Sequence, residues 1–184
     1  MAHRLMPWWY GYFLINPFRK YWHNTNQLLG NYLKPGMNVV DYGCAMGYFS
    51  LTMARIVGSS GKVYAFDIQP QMIERVVKRA SKSGLSGQVE ARLVNGKKNI
   101  FQDLEGLIDF ELLFAVAHEV ENQPGLFSEL YKMMKPGGLF LFAEPVGHVS
   151  LAEFNRSVAL SESFGFIQLE TLDIRNSNAV LLRK

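Results

Sequence analysis

The sequence predicts an α/β fold, in which a mainly parallel sheet is covered by helices on both faces and closed by a C-terminal antiparallel hairpin. After residue 36, short apolar runs alternate with segments whose apolar residues recur at helical spacing, as in successive β–α units. Glycine- and proline-containing turns separate these segments. The last two apolar runs are only three residues apart, which is short enough for a hairpin.

The first half of the chain gives the clearest elements. A helix is predicted from Pro17 to residue 33, because proline suits the first turn of a helix and Lys34-Pro35-Gly36 reads as a turn. Two β–α units should follow. Their predicted elements are a strand at 38–41, a helix at 48–57, a strand at 62–67 and a helix that starts at Pro70 and stops before Gly84.

The second half continues the alternation. Ser150 and Glu153 form the pattern of a capping box, which predicts a helix from there to about residue 164. Lys135 to Gly138 reads as a turn into the fifth strand. The other predicted elements are strands at 89–94, 108–115, 139–144, 166–174 and 178–183 and a helix at 124–134.

Composition limits the class of protein. With 184 residues, 48% of them hydrophobic and 19% charged, the chain should form one soluble domain. Residues 1–36 would be an aromatic-rich N-terminal helical segment and residues 37–184 the core. The net charge of +3 is scattered, so we expect no nucleic-acid partner. The apolar runs are too interrupted for stable membrane insertion, and homo-oligomerisation is left open.

Cysteine and histidine usage argues against redox and metal frameworks. Cys44 is the single cysteine, so an internal disulfide and a Cys-rich metal site are excluded. The four histidines show no metal-ligand spacing, and we expect no metal. The start of the chain lacks the small-residue cleavage site of a signal peptide, which predicts a cytoplasmic protein.

The N-terminal segment is unusually aromatic, because residues 8–22 hold all three tryptophans together with five tyrosines and phenylalanines. It has three interpretations: a hydrophobic cover for the sheet, a lid that shapes an acceptor pocket, or a membrane-interface patch. The third is disfavoured, since a basic amphipathic face is lacking.

One strand–turn–helix segment carries chemistry. Gly43 and Gly47 lie in the turn after the first predicted strand, where glycine permits tight bending and close approach of a ligand. Asp41 precedes them, and Asp67 ends the next strand, where a carboxylate can bind ribose hydroxyls. Asp41 would repel a pyrophosphate, so the pattern favours a ligand with a cationic group and a ribose. The competing interpretation is a tight connection with Asp67 as a helix cap.

These residues identify a resemblance. DYGCAMG resembles motif I of class I S-adenosylmethionine-dependent methyltransferases, VYAFDIQ their second-strand acidic motif, IDFELLFAVAHEV their fourth-strand motif and KPGGLFLFAE their turn and fifth strand. The motifs occur in the family's order over most of residues 36–145. The resemblance implies a Rossmann-like, seven-stranded, mostly parallel sheet and S-adenosylmethionine as cofactor.

The resemblance also implies roles for single residues. It places Asp41 near the methionine amino group, Asp67 on the ribose and Ile68 beside the adenine. The cofactor loop comprises Gly43, Cys44, Ala45 and Gly47, and Ala115 would lie below the methionine moiety. There are two departures: Ala45 replaces the family's middle glycine, and Asn95 stands near the position where many members have an aspartate for the adenine amino group.

Two further residues are candidates for catalysis. His118 follows the fourth strand and has the intrinsic pKa of a general base, although an orienting or capping role is an equal alternative. Glu144 lies at the end of the fifth strand, where the alternative is a buried carboxylate bonded to backbone donors. Cys44 reads as a packed residue rather than a nucleophile.

The leading hypothesis is a methyltransferase acting on a small-molecule acceptor, with O-, N- and C-methylation left open. A non-catalytic S-adenosylmethionine-binding protein or partner subunit is the first alternative, which binding without turnover would favour. A nicotinamide-dependent reductase is the second, which preferential stabilisation by NAD would favour.

Overall fold

The computed structural model describes residues 24–94 and 100–184. The predicted aromatic segment at 8–22 lies outside them. Two compact units divide the chain, one ending at Ile100 and the other containing residues 101–184.

The first unit contains two complete β–α units. Its strands are β1 (Asn38–Tyr42), β2 (Lys62–Asp67) and β3 (Val89–Leu93), and its helices are α1 (Thr25–Leu29), α2 (Ser50–Val57) and α3 (Pro70–Lys82). β2 pairs in parallel with both β1 and β3. α3 buries Met72, Val76 and Ala80, which recur every four residues on one side of the helix.

The second unit contains four strands and two helices: β4 (Ile108–Phe114), α4 (Gln123–Met133), β5 (Met134–Pro145), α5 (Leu151–Ser163), β6 (Ile167–Thr171) and β7 (Ser177–Arg183). β5 runs parallel to β4, whereas β7 runs antiparallel to both β5 and β6. The seven strands have the order β3-β2-β1-β4-β5-β7-β6. The predicted seven-stranded, mostly parallel sheet with a C-terminal hairpin is confirmed.

The core of the second unit is strongly aromatic. Phe127 packs edge-on against Phe142 with ring centroids 5.7 Å apart, and Phe142 lies 5.1 Å from Phe154. Phe140 and Phe166 are also 5.1 Å apart. Because Phe127 of α4 and Phe154 of α5 both contact Phe142, the two helices pack on the same face of β5. Each ring removes a large apolar area from water, which stabilises this packing.

Several predicted boundaries are wrong. Within the described residues, the helix predicted over 17–33 ends at Leu29. Asn24 has an extended backbone and accepts a hydrogen bond from Gln27 N–H, so it is the N-cap of α1 and lies outside the helix. α2 starts two residues later than predicted, and β6 ends at Thr171. By contrast, β2 has its predicted bounds, and the capping box of Ser150 and Glu153 is confirmed.

The predicted turn at 135–138 is a bulge inside β5. Its residues lie between two pairs of the β4–β5 ladder, Ile108 with Met134 and Phe110 with Leu139. Gly137 has a φ of +80° and donates its N–H to the carbonyl of Lys184 at 2.9 Å. The turn residues predicted an irregularity here, but not that Lys184, directly after β7, exchanges backbone hydrogen bonds with Gly137 and Gly138.

Candidate active site

Asp41 lies near the carboxyl end of β1 and is 3% exposed. It accepts a hydrogen bond from the hydroxyl of Ser50, the first residue of α2, which is fully buried. A buried carboxylate needs such donors to offset its desolvation. This bond ties the start of α2 to β1, so the connecting loop is held at both ends.

The loop between β1 and α2 uses three left-handed residues. Gly43, Ala45 and Gly47 have φ values of +75°, +46° and +76°. The N–H groups of Gly43 and Cys44 donate to the carbonyl of Phe66 at 2.8 and 2.9 Å. Ala45 therefore keeps the backbone conformation that a glycine would adopt, although a Cβ atom makes it less favourable.

Asp67 at the end of β2 binds this loop. Its Oδ2 accepts the N–H of Ala45 at 2.9 Å, and its Oδ1 accepts the N–H of Gln69 at 2.8 Å. Burial raises the pKa of the Asp67 carboxyl, while the backbone N–H donors of Gln69, Ala45 and Ile68 oppose that rise. Asp67 thus joins the loop to the start of α3. A carboxylate has about four lone-pair sites, so the three backbone donors do not exhaust its capacity to accept hydrogen bonds.

Ile68 follows this buried carboxylate and is 54% exposed. An exposed apolar side chain therefore lies directly after a buried hydrogen-bond acceptor in the chain. The side chain of Ile68 offers an apolar surface for contact.

Cys44 is 4% exposed and packs with Ala65 and Val76. Burial raises the pKa of its thiol well above the ordinary value, and the charges of Asp41 and Asp67 raise it further. Both carboxylates therefore lie close enough to act on one thiol. The side chain of Cys44 is therefore packed beneath its own loop. This environment suppresses the thiolate that nucleophilic chemistry needs.

Gly47 is required for packing. A Cβ atom placed on it would lie 2.8 Å from Cδ1 of Leu51 and 3.2 Å from Cγ2 of Val76. The missing side chain therefore lets the loop approach α2 and α3. The predicted backbone contact of Gly47 with a ligand stays a prediction.

In the second unit, the chain turns sharply after β4. Ala115 has a φ of +61° and donates its N–H to the carbonyl of Ala143 at 2.8 Å. A short 3₁₀ turn over Ala117–Glu119 follows. Gln123 accepts a hydrogen bond from Ser157 on α5 and donates its Nε2 to the carbonyl of Ala117 at 2.9 Å, which fixes the turn.

His118 in this turn is paired with Glu144 on β5. Nδ1 of His118 lies 2.5 Å from Oε2 of Glu144, and the backbone N–H of His118 donates to Oε1 at 3.3 Å. The Glu144 side chain is 2% exposed and the His118 side chain 18%. One buried carboxylate thus holds both the backbone and the ring of the histidine.

The pKa of His118 is raised, chiefly by the hydrogen bond that its ring donates to Glu144. Burial opposes this rise, and the charges of Glu144 and Glu119 add to it. The ring of exposed His148 stacks on His118 with centroids 6.2 Å apart. Sequence analysis singled out His118 and Glu144 separately. Their pairing across 26 residues had no local sequence signal.

Sequence analysis missed Ser50 as the partner of Asp41. A serine at the start of a helix soon after a buried acidic residue is the signal that could have found it. Asn95 lies outside the described residues. Within 24–94 and 100–184, no group of three or more His, Cys, Asp and Glu side chains could hold a metal ion. No helix of these ranges is long and apolar enough to cross a membrane.

Comparison with known proteins identifies relatives. Residues 33–173 match a family described as "Methyltransferase domain". The chain is 28% identical over 123 residues to the demethylmenaquinone methyltransferase of Symbiobacterium thermophilum, covering 67% of this chain and 48% of that protein. It is 30% identical over 110 residues to a sterol 24-C-methyltransferase of Gibberella zeae, covering 59% and 27%.

The chain spans about half or less of the length of these two relatives. A solved S-adenosylmethionine-dependent methyltransferase from Aquifex aeolicus shares the fold with a TM-score of 0.85 and 21% identity, over 97% of this chain and 98% of that one. The order of sequence motifs, the seven-stranded sheet and the matched family agree. The chain therefore belongs to the methyltransferase domain family, which confirms its resemblance to class I S-adenosylmethionine-dependent methyltransferases.

Proposed function

We propose that the protein is an S-adenosylmethionine-dependent methyltransferase that acts on a small-molecule acceptor. The observation that carries this proposal is the pair of buried carboxylates, Asp41 and Asp67, at the ends of neighbouring strands and on either side of one left-handed loop. Two such carboxylates accept hydrogen bonds and carry negative charge, which fits a ligand with an ammonium group, a sulfonium and ribose hydroxyls. When bound, S-adenosylmethionine supplies a methyl group that is already activated for transfer.

The first unit would hold this cofactor. Asp67 would accept a ribose hydroxyl with the acceptor capacity that the N–H groups of Ala45, Gln69 and Ile68 leave, and the exposed side chain of Ile68 would contact the adenine. Asp41, oriented by Ser50, would attract the methionine ammonium group. The loop of Gly43, Cys44, Ala45 and Gly47 would supply backbone contacts, and Asn95 and Ala115 are retained as cofactor residues on the resemblance alone.

Electrostatics favours this ligand over a dinucleotide. Asp41 and Asp67 both lie near Cys44 in the loop, as their common effect on its thiol indicates. A pyrophosphate brought to the same loop would meet two negative charges in a poorly hydrated setting, which strengthens the repulsion. A positively charged ligand is attracted by the same charges. The nicotinamide alternative is therefore disfavoured.

His118 and Glu144 are the residues that we assign to the transfer step. The demethylmenaquinone and sterol methyltransferases among the relatives have small-molecule acceptors in their names, which supports a small acceptor here. A methyltransferase needs little chemistry from the protein beyond alignment and, for some acceptors, removal of a proton.

Calorimetry tests the cofactor proposal. S-adenosylhomocysteine should bind the purified chain, and NADH should give no heat. Asp67→Ala should weaken binding by about 10- to 100-fold, since a hydrogen bond to a charged group contributes ~1.5–3 kcal/mol. Asp173→Ala is the matched control, because Asp173 is exposed in the second unit.

Unchanged affinity in Asp67→Ala would remove Asp67 from the ribose site. Transfer of a labelled methyl group from S-adenosylmethionine to any of a set of small acceptors separates an enzyme from a non-catalytic binding protein. Binding without any transfer would favour the latter.

A further inference from the structure

Arg79 on α3 contacts the loop between β1 and α2. Its Nη1 donates a hydrogen bond to the backbone carbonyl of Met46. Met46 is 1% exposed, and no backbone N–H within residues 24–94 and 100–184 donates to its carbonyl. A buried carbonyl without a donor is costly, so the guanidinium satisfies a group that the loop backbone leaves without a partner.

The guanidinium of Arg79 has no acidic partner in the described part of the chain. The side chain is half-buried, and this burial lowers the pKa of the guanidinium, as does the charge of Arg55 on α2. Arginine nevertheless stays protonated in proteins, so all its nitrogens remain donors. The carbonyl of Met46 is therefore the group that holds Arg79 in place.

Met46 lies between two residues with a left-handed backbone, Ala45 with a φ of +46° and Gly47 with a φ of +76°. This conformation is unfavourable for alanine, so contacts around the loop must maintain it. Asp67 accepts the N–H of Ala45 at 2.9 Å, and Arg79 donates to the carbonyl of the next residue. Two side chains of opposite charge thus hold two successive residues of the loop.

We propose that Arg79 is a positioning residue for cofactor binding, which keeps the loop between β1 and α2 in its binding conformation by holding the carbonyl of Met46. This inference rests on the proposed function. Asp67 would divide its acceptor capacity between the N–H of Ala45 and a ribose hydroxyl, whereas the bond from Arg79 does not involve Asp67. The contact of Arg79 would therefore persist while a ligand draws on Asp67.

Arg79→Met tests this role, because methionine keeps an apolar stem and removes every donor. Without the hydrogen bond, a smaller fraction of molecules has the loop in its binding conformation, and the apparent affinity falls by that fraction. A hydrogen bond from a charged donor corresponds to a ~10- to 100-fold change in such an equilibrium. We expect S-adenosylmethionine to bind Arg79→Met about 10-fold more weakly in calorimetry.

The direction of the change separates positioning from a simple effect of charge. Arg79→Met removes a positive charge, and Coulomb's law alone would make a ligand with a sulfonium and an ammonium group bind more tightly. Lys78→Met is the matched control, because it removes the same charge from an exposed position on the same helix. Its affinity should equal that of the wild type or be slightly higher. Equal or tighter binding by Arg79→Met would overturn the positioning role.

Amide hydrogen exchange in the ligand-free full chain gives a second readout, which a general structural role would not produce. The N–H groups of Ala45 and Gly47 are both hydrogen-bonded. They should exchange at least ~10-fold faster in Arg79→Met, while the amides of β2 keep the rates measured in Lys78→Met. Equal acceleration of the loop and β2 amides would indicate global destabilisation and would contradict the proposal.

The two measurements also separate this inference from the proposed function. A wild type that binds no S-adenosylmethionine would refute the proposed function and this inference with it. A wild type that binds, together with wild-type affinity and loop exchange in Arg79→Met, would refute the inference alone. Arg79→Gln serves as the second variant if Arg79→Met does not fold, because its shorter amide cannot reach the same carbonyl, and wild-type values there would have the same meaning.

Discussion

Glu111 in the middle of β4 is an uncompensated polar group in the core, and its replacement should stabilise the protein. The residue is fully buried, and neither carboxyl oxygen has a hydrogen-bond partner within residues 24–94 and 100–184. Burial of a polar group without a partner costs ~1–3 kcal/mol. Glu111→Met keeps the volume and removes the polar atoms, so we expect the free energy of unfolding to rise by about 2 kcal/mol.

The same group predicts a pH dependence. Burial raises the pKa of Glu111 well above 4.5, and the nearby Lys184 charge opposes that rise. The folded-state pKa of Glu111 lies above the unfolded one, so the folded state favours its protonated form. The stability of the protein is therefore highest below the unfolded pKa and falls as the pH rises towards the folded pKa. The loss is about 1.4 kcal/mol per pH unit in that window. Glu111→Gln removes this dependence.

Denaturant unfolding of the wild type, Glu111→Met and Glu111→Gln between pH 4 and pH 9 measures both effects. A gain of ~2 kcal/mol corresponds to a rise in melting temperature of roughly 4–8 °C for a chain of this size. Glu162→Met on the exposed side of α5 is the control, and its effect should stay within about 0.5 kcal/mol. A destabilised Glu111→Met, or parallel pH curves for the wild type and Glu111→Gln, would refute the argument.

Three further predictions concern the loop and the helices. Gly47→Ala should lower the free energy of unfolding by ~2–4 kcal/mol in denaturant, because its Cβ would meet Leu51 at 2.8 Å. Gly84→Ala is the control: it has open space at a φ of +69° and should cost only ~1 kcal/mol. Equal costs for the two variants would contradict the packing role of Gly47. Cys44 should react with Ellman's reagent only upon unfolding, and rapid labelling of the native chain would disprove its burial. Ser150→Ala removes the cap of α5 and should cost ~1 kcal/mol in the same unfolding assay; an unchanged midpoint would count against the capping box.

The predictable parts of the fold are those coded by local pattern. β2 has an apolar, β-branched sequence and α3 a proline start with a regular apolar face, and both occur where predicted. The boundary errors arise where distant backbone decides the outcome. Lys135 to Gly138 has the composition of a turn, yet the pairing of Gly137 with Lys184 makes it part of β5.

The site residues also divide into those that a local sequence pattern predicts and those that depend on tertiary contacts. Asp41 and Asp67 were selected because a carboxylate at a strand end beside glycines is a local pattern, and both lie beside the loop. The bond from Ser50 to Asp41 spans nine residues and has a local signal in the serine at the helix start. The bond between His118 and Glu144 could not be predicted, because it depends on which strand and turn meet in three dimensions. The packing role of Gly47 was missed for the same reason.

Asp67 and Ala45 together bear on how quickly a ligand can be captured. The hydrogen bond between them, with the two from the loop to the carbonyl of Phe66, ties the left-handed loop to β2 through groups of the protein itself. The conformational entropy of that segment is lost when the chain folds, so its loss does not reduce the affinity for a ligand. Binding should then require little rearrangement of the loop backbone after the ligand makes contact.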